Sequence, residues 1–346
     1  MIYGAYGYTG VLCAELALER GLRPILAGRC DEPLAKLARR LDVEHVVFSL
    51  DGDFGSYLSN VDVVLHCAGP FEQTSRPMVD ACLMTGTHYL DVTGEIVVFE
   101  ACAKRDAEAK EAGVLVMPGV GFDVVPSDSL LAHAKRRLPS ASKLRLGVLG
   151  LGQVSHGTAT TVVANLHRGG LVRKGGELVS VPSAYKTRQI DFGFGRGPSF
   201  TTCSPWGDVS TAYYTTGVGD IEVYMAIPKP AAMALKANRF FGGLLTSAPV
   251  RKFLQSRVDA APAGPTAEKR ARGSSHLWAE ASDDSGGRVV SRLHGPDGYD
   301  FTTQTSLMIA EKVLGGEAKA GFFTPAGLFG PDMVLDIPKV EREDAV

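Results

Sequence analysis

Gly4, Gly7 and Gly10 stand three residues apart in MIYGAYGYTG, between a short apolar run and an apolar helical pattern. Glycines so placed can do phosphate chemistry. The first permits a tight turn, the second lets backbone approach a pyrophosphate, and the third allows close packing of helix on strand. The helix start then offers N–H groups and a positive dipole end. The spacing is GxxGxxG rather than GxGxxG, so the same residues also suit a plain glycine-rich turn of an α/β fold.

The second chemical signal is Arg29 in LAGR, nineteen residues past Gly10. A site for NAD would place Asp or Glu there to accept from the ribose 2′-hydroxyl. Arginine instead suits a 2′-phosphate through a charge-assisted fork. The plain alternative is a solvated surface arginine, while Asp31 is explained by capping the next helix. Asp51 and the run Cys67–Ala68–Gly69–Pro70–Phe71 each follow an apolar run, where adenine and nicotinamide ribose would sit. Small residues at 68 and 69 let backbone pass close to a ligand.

For proton transfer the candidates are His88, Tyr89, Asp91, Thr93 and Glu95 at one strand end, with Asp123, Ser127, Ser155 and His156 beyond it. His156 is preferred because it precedes a helical pattern and an imidazole exchanges protons near neutrality. Asp91 and Asp123 stand behind it. Each has a structural alternative: Asp91 and Glu95 could cap a helix, and Asp123 could hold the loop around Pro126. No tyrosine has lysine four residues on, which argues against acid catalysis by a Tyr-x-x-x-Lys pair.

These residues need elements to hold them. Apolar runs at Met1–Tyr3, Pro24–Ala27, His45–Leu50, Val61–His66, Tyr89–Val92 and Val114–Met117 alternate with helical patterns at Val11–Arg20, Glu32–Leu41, Arg76–Thr85 and Val98–Ala112. Glycine follows several of these helices as a stop. The alternation predicts parallel βαβ units, a doubly wound Rossmann-type sheet with its ligand crevice beyond the strands' carboxyl ends. After about residue 125 the rhythm changes to a mixed α/β (α+β) pattern. Strands are expected at Lys143–Leu151, Ser210–Tyr214, Glu222–Ile227, Ser275–Ala281, Arg288–His294 and Tyr299–Thr303, with extended structure and turns over Glu177–Gln189. Helices are expected at Gly157–His167, Pro230–Val258 and Thr305–Leu314. Asp191–Asp208 reads as a loop or lid and Ala260–Gly273 as a connector. The expected domains are 1–124 for the nucleotide, 125–304 for the substrate, and 305–346 returning to the first.

Composition narrows the class. With 346 residues, 45% apolar and a net charge of −2, the chain has no bulk attraction for nucleic acid or an anionic membrane. Six cysteines without CxxC spacing read as reduced thiols of a cytoplasmic protein, and eight histidines without HExxH give no metal site. No signal peptide and no run of about 18 apolar residues is present. The stretch 239–254 (RFFGGLLTSAPVRKFL) reads as a helical hairpin, with peripheral membrane contact as the alternative.

GAYGYTG, LAGR, the run 67–95 (CAGPFEQTSRPMVDACLMTGTHYLDVTGE) and 117–128 (MPGVGFDVVPSD) together resemble the saccharopine dehydrogenase-like oxidoreductases, in the branch that includes trans-acting enoyl reductases. The stretches 155–179 and 321–337 are similar to the same branch. The resemblance implies an NADP(H) cofactor held by Gly4, Tyr6, Gly7, Tyr8, Thr9, Gly10, Arg29, Asp51, Cys67, Ala68, Gly69 and Pro70. It also implies a fuller first strand, so a trimmed start is expected.

Three functions follow as expectations. The first is an NADPH-dependent reductase delivering hydride to an activated double bond of an apolar or acyl-type substrate. Phe192, Phe194, Phe200 and Trp206 suit its pocket wall, and equally suit aromatic core packing. The second reduces an imine, as in saccharopine chemistry, with Arg168, Arg173, Arg188 and Arg196 gripping carboxylates. The third is a non-catalytic protein that binds NADP or a lipid surface. A small-molecule substrate and a homodimer are the expected partners.

Overall fold

The six apolar runs of the first 125 residues become strands, five of them almost wholly buried because their side chains are apolar on both faces, while the edge strand His45–Val47 is largely exposed. In the computed structural model, which describes residues 1–151, 155–157, 159–160, 169–195, 197–238, 247–260 and 262–345, they form one parallel sheet. The elements are β1 (Ile2–Tyr3), α1 (Tyr8–Glu19), β2 (Leu26–Gly28), α2 (Asp31–Leu41), β3 (His45–Val47), β4 (Val63–His66), α3 (Phe71–Thr85), β5 (His88–Asp91), α4 (Ile96–Ala103), α5 (Asp106–Glu111) and β6 (Leu115–Met117). The sheet order is β6-β5-β4-β1-β2-β3, with Gly321–Phe322 added beside β6. The order reverses between β1 and β4, so the crevice of an open α/β sheet opens at their carboxyl ends. Ile2 pairs with Leu26 on one side and Leu65 on the other, so even a two-residue β1 is central.

Helix α1 packs closely because the side it buries carries only small residues, Gly10, Cys13, Ala14 and Ala17, spaced for one helical face. Helix α2 starts at Asp31, and its cap position is Cys30, which makes no capping bond. Asp31 and Glu32 thus act through the helix dipole rather than as the expected cap. The expected helix over 98–112 is two helices. Arg105 stands between them and binds Asp80 at 2.6 Å and Glu108 at 2.7 Å.

The chain folds as two units: Met1–Val125 with Tyr299–Phe329, and Pro126–Gly298 with Gly330–Val346. A further helix, α6 (Val125–Arg137), begins where the second unit begins. That unit holds a mixed sheet in the order β10-β11-β12-β7-β13-β14, then Glu341–Ala345. Its strands are β7 (Lys143–Leu151), β8 (Gly170–Lys174), β9 (Glu177–Val181), β10 (Thr187–Asp191), β11 (Pro198–Cys203), β12 (Asp220–Ala226), β13 (Ser274–Ser282) and β14 (Arg288–Pro296). Strands β8 and β9 pair off this path beside β12. The segment 305–346, expected to return to the first unit whole, is divided. Gly321–Phe322 pairs with β6, and Glu341–Ala345 pairs with β14.

Several local expectations give way to packing. Ser210–Tyr214 is helical, inside Asp208–Thr216. Its buried Asp208 accepts from Ser127 at 2.8 Å and Gly217 stops it at φ 72°. Residues 198–203 form β11 despite their loop-like composition, because β10 and β12 flank them with backbone partners. Tyr299–Thr303 is the first turn and a half of the helix Gly298–Lys312, not a strand. Within Ala260–Gly273 a short helix, Ala267–Arg272, is capped by Thr266. The pattern 157–167 and the segment 239–246 lie largely or wholly outside the described residues. Among the described residues no helix is long and apolar enough to cross a membrane, and no cluster of three metal-ligating side chains occurs.

Candidate functional site

The site assembles at the carboxyl ends of β1, β2, β4, β5 and β6. Gly4 turns the chain at φ 79°, and a Cβ there would stand 2.8 Å from the Ala68 side chain and backbone. A Cβ on Gly10 would lie 2.4 Å from the Gly4 carbonyl oxygen. The turn is closed so tightly on α1 and on the β4 edge that only glycine fits at either position. Gly7 caps α1 without a side chain, its N–H donating to Gly4 O at 3.0 Å, and no acidic residue occupies the first turn, which contains Tyr8 and Thr9. Helix α3 is different. Its first N–H groups, on Phe71 and Glu72, donate to the Glu95 carboxylate at 3.0 and 2.8 Å. Helix α3 is thus supplied with a carboxylate, whereas the first turn of α1 contains no acidic residue, and that start suits a ligand phosphate.

Tyr6 lies across Gly28, where a Cβ would come within 2.6 Å of its ring. Burial first, then the neighbouring Cys30, raises the pKa of its hydroxyl, while the nearby Arg29 works to lower it. Burial likewise pushes the Tyr3 hydroxyl to about 12, with Tyr6, Arg29 and Asp51 as charged or ionisable neighbours. The exposed Arg29 thus lies near both tyrosines of the turn. Asp51 is exposed and accepts from Ser49 at 3.0 Å.

The β4 edge is held from beneath by residues that no motif marks. His66 is fully buried, and its Nε2 lies 3.0 Å from Thr74 Oγ1. Thr74 donates its own hydroxyl proton to Ala68 O at 2.7 Å, so the imidazole must be the donor through Nε2. Burial drives His66 down to about 3, which keeps it neutral. His66 and Thr74 therefore fix the carbonyl of the residue that meets Gly4. The only sequence signal was a histidine ending an apolar run. Cys67 donates its N–H to Tyr3 O at 2.8 Å. Its thiol, hydrogen-bonded to Cys13 and buried, titrates well above the usual range. Gly69 and Pro70 lead into α3, with Pro70 at its cap position.

The proton-transfer candidates separate. Asp91 is buried, which raises its pKa to about 6. Its oxygens accept from Tyr89 Oη at 2.6 Å, Thr93 N at 2.9 Å and Gly119 N at 2.8 Å. That carboxylate ties β5 to the loop after β6 instead of facing a substrate. His88 is the first residue of β5, at the sheet's opposite end, and its Nδ1 accepts from Leu115 N at 3.0 Å. Thr93 accepts from Glu95 N at 3.0 Å, and Glu95 caps α3.

Asp123 is the exception. Its Oδ1 is buried with no hydrogen-bond partner among the described residues, and burial pushes its pKa to about 7. Gly94 leaves room for it, since a Cβ there would stand 2.6 Å from Asp123 Oδ2. Its loop is anchored by Thr302, which accepts from Phe122 N at 3.0 Å, and by Thr305, which donates to Val120 O at 2.8 Å.

The remaining candidates belong to the second unit. His156 is 42% exposed, and its Nε2 lies 3.1 Å from Asp259 Oδ1, an ion pair when protonated. Ser155 is buried, and Ser127 donates to Asp208. Arg173 is 5% exposed and donates to Val209 O and Gly176 O, so it braces loops rather than gripping a ligand. Arg188 lies over the rings of Tyr224 and Trp278, while Arg168 and Arg196 lie outside the described residues. Phe192 is fully buried in a core cluster with Tyr224 and Trp278, so of its two expected places it takes the core.

Residues 1–117 match the family model for the saccharopine dehydrogenase NADP binding domain. The chain is 34% identical over 148 residues to a trans-acting enoyl reductase of Mycobacterium leprae, a match that covers 40% of this chain and 35% of that protein. It is 25% identical over 160 residues to a saccharopine dehydrogenase-like oxidoreductase of Bos taurus, over 40% of this chain and 37% of that one. The matches thus span little more than a third of either relative. Among solved structures, apo saccharopine dehydrogenase (L-Glu forming) from Saccharomyces cerevisiae superposes with a TM-score of 0.69 at 12% identity, covering 100% of this chain and 99% of that one. Homospermidine synthase from Legionella pneumophila, in complex with NAD, superposes with a TM-score of 0.65 at 10% identity, covering 99% and 90%. The chain therefore has the saccharopine dehydrogenase fold, and its first 117 residues match the NADP binding domain of saccharopine dehydrogenase, which calls for a nicotinamide dinucleotide cofactor.

Proposed function

We propose that this protein is an NADPH-dependent oxidoreductase that reduces an activated double bond of an acyl-type substrate. The single observation that carries the cofactor half of this reading is the α1 start. Glycines at 4 and 10 close the turn tightly, the cap residue of α1 is itself a glycine, and Arg29 lies near Tyr3 and Tyr6 of the same turn. The turn at 4–10 would take the pyrophosphate, Arg29 the 2′-phosphate, Asp51 the adenosine side, and Cys67–Pro70 the nicotinamide ribose. The substrate half follows from the similarity of the matched residues to trans-acting enoyl reductases.

A bound reduced nicotinamide supplies the hydride. The chain's own residues then have two tasks. His66 and Thr74 keep the Ala68 carbonyl in place, which sets the floor against which the cofactor rests. Asp123, with a pKa near 7 and an unpartnered oxygen, gives its proton to the carbanion or enolate left on the acceptor and recovers it from water.

The test is binding followed by turnover. Arg29→Ala should weaken NADPH about 10- to 100-fold and NADH by less than about twofold, as expected for loss of a charge-assisted phosphate contact. Equal weakening of both would remove the 2′-phosphate assignment. Oxidation of NADPH should then be followed with α,β-unsaturated thioesters and, separately, with 2-oxo acids plus amines. Turnover of the second set alone would replace the double-bond reading with imine reduction.

A further inference from the structure

The second unit carries a charged groove that the redox reading does not use. Its cavity, of about 440 Å³, is lined by β7, β10, β12 and the helix Lys229–Asn238. Arg145, Lys186, Arg188 and Lys236 point cations at it, and Glu222 contributes one carboxylate. Beneath them lies Glu280, 2% exposed, bound by Arg145 at 2.6 Å, Arg188 at 3.2 Å and Arg288 at 2.6 Å. In register, Glu222, Arg145 and Glu280 sit directly opposite one another on β12, β7 and β13.

A cross-strand ladder of alternating charge explains part of this. It does not explain the excess. Five cations gather around two carboxylates, and Lys236 has no acidic partner among the described residues. Unbalanced like charge on a shared wall destabilises the folded state unless an anion joins it. The guanidinium groups also keep donors to spare. Arg145 uses Nη1 on Glu280, while its Nε is 3.6 Å from Glu222, beyond hydrogen-bonding reach. Arg188 uses Nη1 on Glu280 and lies over Tyr224 and Trp278, at 5.8 and 5.3 Å from their ring centres. Burial works to raise the Glu280 pKa, yet its arginine hydrogen bonds hold it below the usual carboxylate value, so it stays ionised and keeps the forks aligned. Preorganised forks with spare N–H groups in a groove of small-molecule size fit the oxygens of a compact anion.

We propose that this groove binds an oxyanion, a carboxylate or a phosphate monoester, on a small molecule. The inference is independent of the cofactor assignment, because the glycine turn lies in the other unit. The probes are inorganic phosphate and succinate, titrated calorimetrically into the full chain at constant ionic strength with chloride as the control. At least one probe should bind saturably, with affinity unchanged in Arg29→Ala and weakened at least about tenfold in the double variant Lys186→Ala/Lys236→Ala. Both substitutions are on exposed or half-exposed lysines, so folding is expected to survive, and a matching thermal midpoint checks it. Phosphate alone binding would identify the phosphate ester, and succinate alone the carboxylate. Heat no different from chloride, or binding that survives the lysine changes, would overturn the proposal. Loss in Arg29→Ala would overturn it too, by assigning the anion to the glycine turn.

Discussion

At the scale of single residues, Asp123 and His66 show burial acting on two titrations with opposite consequences for pH. Asp123 is raised from an ordinary 3.8 to about 7, so the folded state favours its proton. Its contribution to stability is complete below about pH 4 and is lost as pH rises through about 7. His66 is lowered from 6.5 to about 3, so its contribution is complete above pH 6.5 and is lost as pH falls toward 3. Replacing Asp123 by Asn should therefore raise the thermal midpoint at pH 8, by about 2–4 °C for each kcal/mol recovered, and leave it little changed at pH 5. The same variant should lose at least about a hundredfold in kcat. In the wild type the rate should fall as pH climbs past about 7. An unchanged kcat in Asp123→Asn would remove it as the proton donor and leave His156 as the next candidate.

At the scale of elements, two helix starts built differently make a paired prediction. Helix α1 relies on glycine, and a Cβ at residue 10 would meet backbone at 2.4 and 2.8 Å, which cannot yield as a flexible side chain would. Gly10→Ala should cost about 1–3 kcal/mol in urea unfolding and weaken nucleotide binding as well. Helix α3 relies on Glu95, a side chain from the loop between β5 and α4. Glu95→Ala should cost about 0.5–2 kcal/mol while leaving the nucleotide Kd within about twofold. If both variants moved nucleotide affinity equally, the assignment of the ligand to α1 rather than α3 would fail.

At the scale of the whole molecule, stability in the second unit converges on Glu280. One nearly buried carboxylate joins arginines from β7, β10 and β14 across the sheet. Removing one partner of a buried network leaves the others unpaired, which costs about 3–5 kcal/mol. Glu280→Gln should come near the lower figure, since Arg145, Arg188 and Arg288 each keep access to water. The measurement is the urea midpoint. A loss below about 1 kcal/mol would show that the ladder of Glu222 and Arg145 alone carries the sheet.

The parallel half was legible because its signals are local. Runs apolar on both faces, glycine stops after helices, and small residues on one side of α1 each act within a few positions, and together they dictated the strand–helix alternation and the place of the glycine turn. In the second half local composition misled. Ser210–Tyr214 is rich in residues that favour strands, yet it is helical, and 198–203 became a strand only because two neighbours offered backbone partners. Capping was one reading of Glu95, but which helix it caps, and the roles of Asp91, His66 and Asp123, could not be read from the chain. Each depends on which groups, far apart in sequence, are brought together by the order of strands. Sequence by itself determined the glycine turn between β1 and α1 and its closeness to both. Only tertiary structure decided which carboxylate was saturated, which capped a helix and which was left buried with an oxygen unpaired, because hydrogen-bond partners and desolvation are properties of the packed chain.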